Sequence, residues 1–295
     1  MICNLCPRNC GATRDDKKGE GFCKMPKNPV LAKASVHMWE EPPISGTKGS
    51  GTIFFSGCSL GCVYCQNEKI SHNRYGKEIT PDRLREIYDE LIAKGVHNIN
   101  FVNPTHYAHI IAKSLEKPLD VPIVYNCSGY ENIETLKMLE GKISVYLPDM
   151  KYSDNALAIR YSNAPRYVEI SQNAVREMFR QTGKYKLNSN GLIIQGVIIR
   201  HLVLPANTKN SIGVIDWLCE NFSEDDILFS LMAQYTPFGN LEKFPEINRK
   251  ITKREYEKVV DYLATKDIDG YVQQRNSASE IYIPEFDLSG VERIF

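Results

Sequence analysis

From Thr52 onward the chain alternates short β-forming runs with amphipathic stretches, and this limits the folds open to it. Thr52-Ile53-Phe54-Phe55 is an apolar run ended by Gly57, the pattern of a buried strand. Thr80-Pro81 places an N-cap before a proline at the first helical position, so a helix runs to Lys94 and closes at Gly95. Further strands are predicted over 98–102, 122–126, 143–147, 192–204 and 227–232, with a short last one over 270–273. Between them helices are predicted over 104–115, 131–139, 154–181, 211–220 and 253–264. Strand and helix alternate six times. That pattern specifies parallel strands joined by right-handed crossovers. An open doubly wound sheet and a full or partial barrel both satisfy it. In either, ligands gather at the C-terminal ends of the strands.

The cysteines lie elsewhere. Seven of the nine precede residue 66. An odd count in a chain of 295 residues does not suit a small disulfide-stapled scaffold. No segment reaches the ~18 uninterrupted apolar residues of a membrane span, and nothing at the N-terminus reads as a signal peptide. The expectation is a soluble, cytoplasmic protein with reduced thiols, where clustered Cys bind metal or do chemistry. The 36 basic and 36 acidic side chains cancel, which argues against a nucleic-acid or other polyanion binder.

Two thiol sets stand out. Cys58, Cys62 and Cys65 form a C-x3-C-x2-C loop directly after the first strand of the alternating region. Iron–sulfur clusters are normally held by four Cys. A loop that supplies three leaves one iron open to an outside molecule. Cys3, Cys6, Cys10 and Cys23 form a complete four-thiol set on a short polar segment with no core of its own. Soft sulfur ligands suit a structural zinc or an auxiliary iron–sulfur cluster alike.

The loop, with Tyr64 before its last Cys, resembles the radical S-adenosylmethionine superfamily. The shared pieces are Gly57-Cys58 to Cys65-Gln66-Asn67, Leu147-Pro148-Asp149-Met150-Lys151 and Arg200-His201-Leu202-Val203-Leu204-Pro205. They are most similar to the pyruvate formate-lyase activating enzyme group and its uncharacterised relatives. The resemblance implies an α/β fold, a partial (βα)6 barrel over 51–275. Around it lie a Cys-rich metal-binding segment (1–28), a linker (29–50) read as extended chain or loop, and a C-terminal extension (276–295). It also implies a [4Fe-4S] cluster on Cys58, Cys62 and Cys65, with S-adenosylmethionine on the open iron and Tyr64 by the adenine. Lys151 and Arg200 would pair the cofactor's carboxylate, and Asp149 would hold its ribose, its amino group or a cation. Reductive cleavage would form a 5′-deoxyadenosyl radical for hydrogen abstraction. Implied partners are a flavodoxin- or ferredoxin-type electron donor and a glycyl radical enzyme or another protein or peptide substrate.

Two positions depart from the family's pattern. Val102-Asn103-Pro104-Thr105-His106 stands where a Gly-Gly-Glu run is usual, so Asn103, Thr105 or His106 would meet the ligand differently. Asn126 stands where activating enzymes carry a cation-holding Asp. His106, His201, Gln234 and Tyr235 are further candidates for substrate contact. His37-Met38-Trp39-Glu40-Glu41 reads either as carboxylates that meet substrate or as a surface turn. Cys127 and Cys219 read as core. The rival function is a non-catalytic iron–sulfur or zinc-thiolate carrier, sensor or interaction module, for which a fourth closing thiol would be expected.

Overall fold

The computed structural model describes residues 2–15, 19–274 and 284–293. Strands of the main sheet are β1 (Val30–His37), β2 (Ser50–Phe55), β3 (Ile99–Val102), β4 (Ile123–Cys127), β5 (Val145–Pro148), β6 (Ile193–Leu202), β7 (Leu228–Met232) and β8 (Gly270–Val272). From β2 to β8 every strand pairs parallel with the next in sequence, and β1 pairs antiparallel with β2. Two-residue strands at Lys77–Glu78 and Lys186–Leu187 add to β1 and β6.

The main helices are α1 (Pro81–Ala93), α2 (Ala108–Ser114), α3 (Ile133–Met138), α4 (Asn155–Ser162), α5 (Tyr167–Thr182), α6 (Thr208–Asn221) and α7 (Lys253–Leu263). The Thr80 side chain caps α1 as the sequence predicts, accepting from Arg83 N. Six of the seven, all but α4, share one apolar core with the same sheet face, which presents Phe55, Phe101, Tyr125, Tyr146, Ile199 and Phe229. A doubly wound sheet needs helices on both faces, so this distribution and the unreversed strand order exclude it. The opposite face carries a small apolar plug of Ile44, Val124, Val145, Leu147, Ile198 and Leu228. Beyond the plug, at the C-terminal ends of the strands, the same face turns polar.

Two expectations are corrected. The stretch read as a linker contains β1, whose buried Leu31 and Ala34 pair with Phe55 and Ile53 of β2, with the buried Ala32 in a register shift between them. The register shift at Ala32, which buries Leu31 and Ala32 in succession, and the exposed Val36 interrupt its apolar alternation in the sequence. The helical stretch over 154–181 is two helices. Asn163 and Arg166 take left-handed backbone on either side of Pro165, which ends α4 and re-aims the chain. Part of the C-terminal extension lies outside the described residues. Its described portion packs on β1, with Leu288 N donating to Ala32 O (3.0 Å) and Phe286 edge-on to Phe54. Among the described residues no helix is long and apolar enough to cross a membrane.

Candidate metal and cofactor site

The loop after β2 starts with a backbone problem that only glycine solves. Gly57 has φ 80°, and a Cβ there would lie 2.4 Å from Met25 Cγ. This close approach seats the loop on the N-terminal segment. Each loop thiol then accepts a hydrogen bond. Cys58 Sγ takes the amide of Leu60 (3.3 Å), Cys62 Sγ the hydroxyl of Ser162 (3.0 Å), and Cys65 Sγ the hydroxyl of Ser71 (3.2 Å). Burial pushes the Cys65 thiol up to about 12 and raises those of Cys58 and Cys62. They stay protonated until coordination removes the proton.

The thiols border a cavity of ≈ 180 Å³ at the strand ends. Tyr64, Asn103, Asn126, Asp149, Lys151 and Arg200 all line it, as do Gln234 and Tyr235 after β7. Asp149 is set by backbone on both sides. Its N–H donates to Cys127 O (2.9 Å), and it forms a parallel bridge with Arg200. Its carboxylate accepts from Arg200 Nε (2.8 Å) and Lys151 Nζ (2.7 Å). Burial alone would raise its pKa, but the two cations outweigh burial and hold it below the usual carboxylate range. Arg200 also donates to Asn126 Oδ1 (2.6 Å) and Glu40 Oε2 (3.3 Å), and Glu41 Oε2 lies 3.8 Å away.

Glu40 and Glu41 are therefore no surface turn. Their side chains are 8% exposed and lie under the cavity against Arg200. Three carboxylates face two cations there. Burial raises Glu41 to about 7, with Arg200 opposing.

Asn103 has φ 59°, the left-handed region that Asn tolerates better than other non-glycine residues. Its side-chain amide donates to Gly57 O, so it ties β3 to the thiol loop. The two histidines are corrections. His106 is buried, with Nε2 against Ser56 O (2.7 Å), and His201 is spanned by Met150 O (2.6 Å) and Ser211 Oγ (2.9 Å). Burial lowers them to about 3 and about 4, and both are neutral core groups outside the cavity lining. Cys127 is part of the helix-side core and also lines the cavity.

Around Cys3, Cys6, Cys10 and Cys23 the segment is docked by arginines that sequence reasoning missed. Arg8 donates to the carbonyls of Ser59 (2.7 Å), Leu60 (2.9 Å), Ser162 (3.0 Å) and Asn163. Its guanidinium stacks 3.8 Å from the Phe22 ring centre. Arg14 is buried and donates to Pro26 O (2.7 Å) and His106 O. Cys6 is raised to about 12 by burial, and it feels Cys23 and Cys3. Cys23 in turn feels Cys3 and Cys10. The four thiols thus share one neighbourhood. Among the described residues, however, no group of three or more His, Cys, Asp or Glu side chains stands at metal-holding geometry. An Arg between Cys6 and Cys10 is a weak signal in sequence. Ser162 and Tyr152 carry none beyond Tyr152 following Lys151.

A parallel α/β sheet that gathers three thiols and two cations around a polar cavity at its strand ends defines a thiolate-cofactor enzyme site. The Radical SAM superfamily profile matches residues 52–203, and the chain belongs to that superfamily. It is 30% identical over 280 residues to an uncharacterized protein of Methanocaldococcus jannaschii, covering 90% of this chain and 75% of that one. Among solved structures, Streptococcus suis SuiB bound to precursor peptide SuiA matches with TM-score 0.52 at 16% identity, over 74% of this chain and 47% of SuiB. SuiB bound to S-adenosylmethionine matches at 0.51 and 15%, over 80% and 52%. Methylornithine synthase (PylB) matches at 0.52 and 16%, over 76% and 63%. At these identities the likeness is one of fold. The chain spans about half the length of the SuiB chains.

Membership brings a [4Fe-4S] cluster and S-adenosylmethionine as the family's cofactors. The loop thiols are not preset at metal-holding geometry, but the donor chemistry present fits these cofactors. Three thiols open on the cavity, where Asn67 Oδ1 and Ser128 Oγ are buried without partners. Lys151 Nζ holds one carboxylate and keeps donors to spare.

Replacing Arg8 by Ala is expected to cost about 2 kcal/mol or more, since hydrogen bonds from a charged donor are worth about 1.5–3 kcal/mol each. Urea unfolding reads the loss. Lys at this position is expected not to restore it, because an ammonium cannot fork to four carbonyls. A second prediction concerns Glu131, buried under Thr105 Oγ1 (2.7 Å) and Tyr125 OH (3.2 Å) and raised by burial from 4.5 to about 7. Between those values the folded state binds the extra proton, so this contribution to stability falls as pH rises from about 4.5 to about 7. Glu131→Gln is expected to flatten that part of the melting temperature–pH curve. An unchanged slope would refute it.

Proposed function

We propose that the chain is a radical S-adenosylmethionine enzyme of the activating-enzyme type, built as a partial barrel, which abstracts hydrogen from a glycine of a protein or peptide substrate. The observation that carries the catalytic reading is the three-thiol loop opening on a cavity floored by Asp149, Lys151 and Arg200. The activating-enzyme part rests on the motifs at 147–151 and 200–205. Cys58, Cys62 and Cys65 would hold the cluster, and Tyr64, Asn103, Asn126, Asp149, Lys151 and Arg200 would border S-adenosylmethionine. When bound, these cofactors supply the one-electron chemistry that generates the 5′-deoxyadenosyl radical.

The chain's own residues divide the work of binding. Arg200 is already committed to Asp149, Glu40 and Asn126, so it fixes the floor. Lys151, with Asp149 as its one carboxylate partner, is the group that takes the ligand's carboxylate. Leu60, Ile70 and Met232 line the cavity with apolar surface that excludes water. The rival carrier reading needs a fourth closing thiol. The loop supplies three thiols, and Cys127, which also lines the cavity, is packed in the core against the helices. For Cys3, Cys6, Cys10 and Cys23 we propose a structural zinc that closes the N-terminal segment. The proposed setting is the cytoplasm, with a flavodoxin- or ferredoxin-type electron donor.

The test is anaerobic reconstitution with iron and sulfide, then reduction in the presence of S-adenosylmethionine, reading 5′-deoxyadenosine. Wild type should form it, and Cys58→Ala, Cys62→Ala and Cys65→Ala should not. Equal yields from wild type and variants would sink the proposal. Lys151→Ala is expected to weaken S-adenosylmethionine binding about 10- to 100-fold, the worth of one charge-assisted hydrogen bond. Zinc content that is unchanged by Cys6→Ser would refute the zinc assignment.

A further inference from the structure

One hydrogen-bond chain runs from the cavity wall to a single cluster thiol. Tyr64 OH meets Tyr152 OH (2.8 Å), Tyr152 OH meets Ser162 Oγ (2.7 Å), and Ser162 Oγ donates to Cys62 Sγ (3.0 Å). All four residues are buried. Ser162 is the last residue of α4, held by Arg8 on its carbonyl and by the neighbouring backbone bond from Val63 N to Tyr161 O (2.8 Å). Its hydroxyl therefore has a fixed place.

A metal-bound thiolate carries no proton and only accepts. Ser162 has one proton, and giving it to Cys62 obliges Tyr152 to donate to Ser162. Tyr152 then has no proton left for Tyr64, so Tyr64 donates to Tyr152. The chain thus has a single polarity once the cluster is bound, with every donor pointed at the sulfur. Neither of the other thiols has this. Cys58 accepts from backbone, and Ser71, which faces Cys65, also has His72 Nδ1 at 2.9 Å to take its proton.

We propose, on the reading that Cys62 is a cluster ligand, that Ser162 is a positioning residue that sets the cluster's reduction potential, and that Tyr152 and Tyr64 reinforce it. A donor to a ligating sulfur favours the reduced, more negative cluster, because negative charge on the sulfur grows on reduction. Successive hydroxyls polarise one another, so the effect fades along the chain. Tyr64 also lines the cavity, so the chain joins the wall that meets the ligand to the metal.

The test is a redox titration of the reconstituted full-length protein by electron paramagnetic resonance, with iron and sulfide content matched. Ser162→Ala is expected to lower the reduced-to-oxidised ratio about tenfold at fixed potential, a shift of about 59 mV to the negative for one electron. Tyr152→Phe should shift it less, Tyr64→Phe least, and Ser162→Thr should restore it. A loop merely loosened by mutation would lose cluster content without this ordered shift. Wild-type potentials in Ser162→Ala would overturn the inference. If that variant fails to load, wild-type potentials in both Tyr152→Phe and Tyr64→Phe would overturn it. A wild-type protein that binds no such cluster would overturn the reading beneath it.

Discussion

The ion pair between Asp149 and Arg200 is the interaction on which the site depends. Asp149 follows β5 directly and Arg200 lies near the end of the adjacent β6, and both side chains are mostly shielded from solvent at the cavity floor. A guanidinium there is stable only while carboxylates surround it, because an unpaired buried charge costs several kcal/mol. That requirement draws in Glu40 and Glu41 from the chain before β2, and Asn126 from β4. One charge thus organises residues from four separate stretches of chain into a floor. Above that floor, Lys151 is left with spare donors.

The same logic governs the N-terminal segment. It has little apolar surface to bury, yet it lies against the thiol loop. Arg8 accounts for the docking. Carbonyls at the end of α4 and in the loop converge where no backbone amide reaches them, and one planar cation serves all four. The segment that carries the second thiol set is thereby coupled to the first. Gly57 allows the approach, since any side chain there would strike Met25.

Much of this was legible in the chain. The alternation gave the strands and helices in order, and the C-x3-C-x2-C spacing after the first strand gave the thiol loop. Asp149 and Lys151 were placed on the correct edge because they follow a strand end, and Arg200 because it lies near one. β1 was missed because a register shift at Ala32 and the exposed Val36 break its apolar alternation. His106 and His201 were misplaced because position near a strand end does not say which face a side chain takes. Both are buried: His201 is held at both ring nitrogens by a carbonyl and a hydroxyl, and His106 by Ser56 O at Nε2 alone, its Nδ1 having no partner.

By itself the sequence determined the order and type of the elements, the parallel sheet and the three-thiol loop. These rest on spacing over a few residues, which local geometry dictates. Only the tertiary structure decided that the helices cover a single face, that Glu40 lies under Arg200, and that Ser162 reaches Cys62. Those contacts join residues 100 or more positions apart. Packing brings them together, and no periodicity in the chain records it.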